Sequence, residues 1–194
     1  METTSTSEFE FPVIDEIKKR RSIRAFSDRA IGEEKIRSLF EAARWAPSSV
    51  NEQPWYYLYA TKEQPALWQK LFKLMNDGNK LWAQHAPLLI VSLARKNYTK
   101  NGHINSTAHY DLGQANAFLS LQAVDLGLQV HQIGGYSKRD AISELNIPDM
   151  FEPGPMMAIG YPGDMTRLSE QLQSRETATR VRMQQKDYIR NQSF

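Results

Sequence analysis

The chain of 194 residues contains no cysteine. That absence excludes disulfides, thiolate zinc sites and cysteine nucleophiles, and it fits a reducing compartment. Long apolar runs are also missing. The most apolar window, residues 86–94, is far too short to span a bilayer. Residues 1–10 are polar and acidic and lack the basic start and apolar stretch of a secretory signal. A cytoplasmic location is the expectation. Charge of one sign is scarce, since 24 Lys and Arg against 22 Asp and Glu leave a net +2. That excess is too small to argue for nucleic acid by itself. His85, His103, His109 and His131 are scattered and lack HExxH or paired-ligand spacing, so no metal is expected. There is no GxGxxG fingerprint, no P-loop, no internal repeat and no domain linker.

What is present suits one folded domain: 41% hydrophobic and 24% charged residues supply a core and an ordinary surface. Helical spacing of Val13, Ile14 and Ile17 predicts a helix over 11–21. Ile36, Leu39, Phe40 and Ala43 predict another over 33–45, with Glu33 and Glu34 in the first turn where the dipole favours them. A third covers 64–75, broken by residues 76–78. A long one covers 107–126, with Leu112, Ala115, Leu119, Ala123 and Leu126 on one face and Gly127 as its stop. Ser137 caps a helix through 145. Strands are expected at 55–61, 87–94, 128–133 and 155–161. The order gives no clean βαβ series, so an α+β layered domain fits best.

The two ends differ from the middle. Residues 1–10 read as a disordered tail, and residues 11–164 form the domain. Residues 165–194 carry few apolar anchors: Leu168, Leu172, Val181, Tyr188, Ile189 and Phe194. Such a segment hardly buries itself. It is either a disordered tail or an arm packing on a partner subunit, and the recurrence of apolar residues to its end favours the arm.

Three constellations carry chemistry. The run Lys19-Arg20-Arg21-Ser22-Ile23-Arg24 can converge guanidinium forks and a hydroxyl on one phosphate; alone, it reads equally as a solvated helix end. The stretch from Ala46 to Trp55 sets Pro47, Ser48, Ser49, Asn51, Gln53 and Pro54 at short spacing, with donors and acceptors that suit a planar heterocycle; alone, it reads as a polar turn. Gln132-Ile133-Gly134-Gly135 ends a strand where glycines permit close backbone approach to a ligand; alone, it reads as a tight turn.

Together and in this order, these segments resemble the nitroreductase family, from about Val13 to the C-terminus. The carriers are RRSxR followed by Phe26, the full APSSxNxQPW match at 46–55, the glycine turn 134–136, and Gly160-Tyr161-Pro162. The resemblance implies a nitroreductase-like fold: a central, mostly antiparallel sheet flanked by helices, with residues 165–194 extending onto the partner of a homodimer. It implies FMN, with NADPH or NADH as donor and ping-pong reduction of nitroaromatics, quinones or similar electrophiles, the flavin N5 doing the chemistry. Arg20, Arg21, Ser22 and Arg24 resemble the phosphate and ribityl contacts. Pro47, Ser48, Ser49, Asn51 and Gln53 resemble the flavin loop, part of which serves the other subunit. Gln132, Ile133, Gly134 and Gly135 resemble the turn that donates to the ring. Arg180 and Arg182 resemble the basic pair that returns to the phosphate, and Asn79 a polar-edge contact. Tyr98, His103 and Tyr110 fall where such enzymes roof the substrate pocket.

Two departures stand out. Gly134 occupies the place where many relatives have an acidic residue, and no proline follows Arg180-Val181-Arg182-Met183. Reductive dehalogenation and flavin cleavage share the fold and remain open alternatives. So does a non-enzymatic phosphate- or nucleotide-binding module, although phosphate binding alone does not need the 46–55 loop. Trp45 and Trp55 are expected to pack in the core, and Asp111 to be a solvated or capping charge.

Overall fold

The computed structural model describes residues 5–193. Its elements run β1 (Ser5–Thr6), α1 (Asp15–Lys19), α2 (Glu33–Arg44), β2 (Trp55–Thr61), α3 (Pro65–Leu74), α4 (Asp77–Ala83), β3 (Leu88–Arg95), α5 (Ala108–Asp125), β4 (Gln129–Ile133), α6 (Lys138–Glu144), β5 (Phe151–Gly160), α7 (Glu170–Thr177) and β6 (Arg182–Met183). Four strands form one sheet in the order β2-β3-β5-β4, every pair antiparallel. This is the antiparallel sheet flanked by helices that the sequence led one to expect.

The unbroken apolar run of β3 requires cover on both faces, and both are covered. Leu89, Val91 and Leu93 face Trp68, Leu71 and Leu74 of α3, Trp82 of α4 and Ala141 of α6. Leu88 and Ile90 face Ile36, Leu39 and Ala43 of α2 and Ala115, Leu119 and Ala123 of α5. The period-two alternation of one strand thus splits the interior into two cores, giving three layers.

Local signals explain most boundaries. Gly127, at φ 75°, ends α5 in the left-handed conformation that glycine adopts without strain. The Ser137 side chain accepts from the Asp140 N–H and starts α6.

Several expectations are corrected. The helix over 64–75 does end before residues 76–78, but a second helix that was not expected follows at once: the Asn76 side chain accepts from the Asn79 N–H and caps α4. The last core strand begins at Phe151, because Gly154 and Pro155 form a bulge opposite Ser92, whose hydroxyl donates to the Pro155 carbonyl at 2.7 Å. The helix expected over 11–21 narrows to Asp15–Lys19 and buries none of its residues. Trp45 is not core: it is exposed, with its Nε1 donating to Glu41. Asp111 is not solvated but buried.

At the N-terminus, residues 1–4 lie outside the described residues. Ser5–Thr6, within the stretch expected to be disordered, pair antiparallel with Arg182–Met183. The C-terminal segment also departs from the simple arm. Leu168 and Leu172 bury into the chain's own core, whereas Val181, Met183, Tyr188 and Ile189 stay exposed. Phe194 lies outside the described residues. Among the described residues no helix is long and apolar enough to cross a membrane.

Candidate functional site

The basic segment at 20–24 leaves α1 and lies beside the start of β4. Its backbone is held by side chains. The Arg21 N–H donates to Gln129 Oε1 at 2.7 Å. His131, two residues along β4 and hence on the same face, bonds through Nδ1 to the Ile23 carbonyl at 2.8 Å. Glu176 of α7 accepts from the Arg24 N–H at 2.7 Å and the Ala25 N–H at 3.2 Å. None of these three partners has a sequence signature.

With its backbone fixed, the segment projects its side chains into a cavity of about 230 Å³ lined by Arg20, Arg21, Ser22, Arg180 and Arg182, among others. Arg20 donates to the Ser22 hydroxyl at 3.2 Å. Arg180, some 160 positions away, donates to the Arg20 and Lys18 carbonyls at 2.7 Å each. Arg180 thus packs against the 18–20 backbone, and Arg182 lines the same cavity. Burial lowers the Arg20 pKa below the ordinary arginine value, and the charges of Arg182 and Arg21 add to this. Burial likewise lowers that of Arg180, with Arg21, Arg20 and Arg182 adding to it. No carboxylate figures among the groups that shift either one. Four guanidiniums that repel one another in a partly buried cleft are stabilised by an anion of more than one charge.

Arg24 is placed differently. Its guanidinium lies 3.6 Å from Glu176 Oε2 and faces the acid.

His131 is half-buried under this segment, with its ring against Trp82. Burial lowers its pKa from 6.5, Arg24 acts in the same direction, and the bond to Ile23 opposes them. Because the folded value lies below the unfolded one, the unfolded chain takes up the proton first as pH falls. Folding stability is therefore expected to be fully present above pH 6.5 and to be lost as pH drops from there through the folded pKa. Denaturant titrations across that window check the slope, and His131→Gln should flatten it.

The glycine turn follows β4. A Cβ on Gly135 would meet the Asn76 and Asn79 amides at 2.5 and 2.9 Å, so any larger residue would displace those side chains; at Gly134 nothing lies within 4 Å. The Asn79 amide donates to the Gly135 carbonyl at 3.1 Å, as does the Asn76 N–H. Asn79 and Gly135 are thus brought together, and the outer side of Gly134 is open. Gln132 is exposed and Ile133 is buried in the core.

The serine loop is strained. Val50, Asn51 and Gln53 have φ of 47°, 57° and 52°; asparagine adopts this region readily, whereas Val50 and Gln53 cost ~1–2 kcal/mol each. Such conformations persist only where surroundings over-determine them. Here the Gln53 N–H donates to Ser48 Oγ at 3.0 Å, and the Ser49 N–H donates to buried Asp111 at 3.1 Å. Ser49 Oγ meets the Tyr98 hydroxyl at 3.1 Å, and the Thr99 N–H donates to Glu52 at 2.7 Å. Pro47 is exposed, and its carbonyl faces Gln114. The held loop presents Val50, Asn51 and Gln53 to solvent. Tyr98 therefore joins the loop, while His103 and Tyr110 are exposed nearby in sequence.

Loop and arginine cleft are far apart within one chain. The loop is tied to Asp111 in the first turn of α5. The cleft adjoins Gln129, just past the other end of that helix. Fifteen residues at ~1.5 Å each separate Asp111 from Leu126, or about 22 Å. The loop also enters β2, at the opposite sheet edge from β4, three strand spacings or about 14 Å across.

Comparison with known proteins gives a consistent picture. The model named "Nitroreductase family" matches residues 17–161. A solved structure described as an oxidoreductase containing FMN shares 32% identity, with 96% of this chain and 95% of that one covered at a TM-score of 0.91. An FMN-dependent nitroreductase from Clostridium difficile R20291 shares 28% identity, covering 78% and 88% at a TM-score of 0.65. The FMN reductase [NAD(P)H] of Bacillus subtilis (strain 168) is 27% identical over 78% of this chain and 66% of its own length.

Proposed function

The chain belongs to the nitroreductase family, and from that premise we propose that it is an FMN-dependent NAD(P)H oxidoreductase that reduces nitroaromatic, quinone or similar electrophilic acceptors. The observation that carries the reading is the convergence of Arg20, Arg21, Arg180 and Arg182 on one cleft, five strand residues from an open glycine turn. At ~3.3 Å per residue, β4 sets about 16 Å between them, a span for an elongated ligand with a phosphate at one end and a planar ring at the other. The residues fit FMN on structural grounds: the cleft wants an anion, Gly134 leaves room, and Gly135 is pinned by Asn76 and Asn79.

Bound FMN supplies the hydride chemistry. The protein's part is positional. Arg20, Arg21, Arg180 and Arg182 neutralise the phosphate, and Ser22 adds a hydroxyl. Backbone N–H groups of the Gly134-Gly135 turn would hold the ring edge, and Asn79 fixes that turn. Fixed donors aimed at developing charge stabilise it at no reorganisation cost.

At some 20 Å from the arginine cleft of its own chain the serine loop is out of reach of the phosphate, and in this reading it serves a second copy. Ser48, Ser49, Asn51 and Gln53 of one subunit would border the cofactor of the other, with Tyr98, His103 and Tyr110 over the acceptor. Apolar surface supports a homodimer. On α5, Tyr110 and Phe118 are exposed beside small Gly113 and Ala117, and Ile14 and Ile17 of α1 are exposed as well. Exposed patches of this kind mark association surfaces. Val181, Tyr188 and Ile189 extend the same logic to the C-terminal arm.

An absorption spectrum of the purified protein, followed by anaerobic NADPH or NADH, tests the redox reading. A flavin band that bleaches and returns on adding a nitroaromatic or quinone is expected. Failure to take up FMN would promote the phosphate-binding module instead. Truncation after Asp164 should yield a colourless protein that no longer dimerises; a soluble, flavin-loaded dimer would remove the arm from the assembly.

A further inference from the structure

Glu176 sits in the last turn of α7, the end of a helix where the dipole disfavours a carboxylate. It also lines the arginine cleft, where an acid would compete with the phosphate for positive charge. Neither helix stability nor anion binding explains it. Its contacts do. Oε1 accepts from two consecutive N–H groups, Arg24 at 2.7 Å and Ala25 at 3.2 Å. Oε2 faces the Arg24 guanidinium at 3.6 Å, with the carboxylate side chain only 11% exposed. Its charge is thus spent on the segment that carries the arginines.

The spacing of the neighbouring contacts is regular. Leu172, one turn before Glu176, buries α7 into the core. Arg180, four residues after it, donates to the Arg20 and Lys18 carbonyls. Three residues at steps of four therefore grip the core, the 24–25 backbone and the 18–20 backbone in turn. From the other side Gln129 and His131 hold Arg21 and Ile23. The β4 grips belong to the rigid sheet. The α7 grips belong to a segment anchored by two buried leucines.

We propose that Glu176 is a positioning residue for the phosphate-binding arginines, through which docking of α7 and retention of FMN become one coupled event. The proposal rests on the FMN reading above. An undocked α7 leaves residues 20–24 with the β4 contacts alone, Ala25 keeping its bond from Gly163, and removes Arg180 from the cleft. By reciprocity, bound FMN holds α7 down as firmly as docked α7 holds FMN.

The test uses the full-length chain with Glu176→Ala, Glu176→Gln and Glu176→Asp. Two readouts are taken: hydrogen exchange at the Arg24 and Ala25 amides without cofactor, and FMN affinity by flavin fluorescence. Glu176→Ala should lose amide protection and bind FMN on the order of 100-fold more weakly, because a charge-assisted acceptor shared by two N–H groups is gone. Glu176→Gln keeps an acceptor oxygen at the same reach and should stay within about tenfold of wild type. Glu176→Asp keeps the charge but withdraws it by one methylene, and should resemble Glu176→Ala. Should the alanine variant fail to fold, the ordering of Gln above Asp still decides. Equal affinity in Glu176→Ala and wild type, or Asp restoring binding better than Gln, overturns the proposal. A wild-type chain that takes up no FMN overturns the cofactor reading, and the amide exchange then still judges the grip on residues 24–25.

Discussion

Protein carrying Arg20→Ala together with Arg180→Ala should leave purification colourless and take up FMN ~10²–10⁴-fold more weakly than wild type, if each guanidinium contributes the ~1.5–3 kcal/mol typical of a hydrogen bond to a charged group. The pair is chosen on geometry. The charge of Arg20 acts on Arg180, and both line the same cleft. Arg24, though part of the same sequence run, turns to Glu176. Removing Arg180 also frees the Arg20 and Lys18 carbonyls, so Arg180→Ala alone already loosens the segment that carries Arg20, and the double variant should lose no more than the sum of the two single variants. Fluorescence titration with FMN measures this, with circular dichroism as the check on folding. Lysines at both positions should restore part of the affinity, since charge returns without the planar fork. Full flavin occupancy in the double alanine variant would take these arginines out of the phosphate site.

The second large effect is expected on stability. Gly163 follows the last core strand, and a Cβ there would strike the backbone of Phe26 and Ser27 rather than a movable side chain. The same place is stitched by the Gly163 N–H to the Ala25 carbonyl at 2.7 Å and the Ser27 N–H to the Tyr161 carbonyl at 2.9 Å. Overpacking costs ~1–3 kcal/mol where side chains can yield; against backbone, Gly163→Ala should reach or exceed the upper end. At ~2–4 °C per kcal/mol for a chain of this size, the melting temperature should fall by about 6–12 °C. FMN uptake should weaken with it, because Phe26 is two residues from Arg24. Gly134→Ala, where nothing lies within 4 Å, is the matched control and should melt close to wild type without cofactor. Equal melting of the two variants would show that the 25–27 backbone moves aside freely.

Whether a feature could be read in the sequence depended on how local its cause is. The two cores of β3, the amphipathic α2 and the length of α5 follow from apolar periodicity, and Gly127 and Ser137 mark boundaries through their own backbone and side-chain chemistry. Helix α4 escaped because Asn76, Asp77 and Gly78 look like a breaker, whereas Asn76 acts as a cap and Trp82 supplies the burial. The start of β5 escaped because Pro153, Gly154 and Pro155 argue against a strand until the bulge opposite Ser92 is known. At the site, the residue types were legible as a basic run, a polar loop and a glycine turn. Their supports were not. Gln129, His131, Glu176 and Asp111 act on partners from 62 to 152 positions away, and a pairing that distant leaves no local pattern. The same applies to the division of labour among the arginines, which only the position of Glu176 reveals.

Strand β4 carries a further consequence. Its five residues join the grip on Arg21 to the Gly134 turn, and side chains along it alternate between faces. One residue gained or lost within it would move the turn by ~3.3 Å and swing either Gln129 and His131 or the turn to the wrong side of the sheet. The exposed Gln132 side chain can drift in descendants of this chain, but the count of residues between Gln129 and Gly134 cannot.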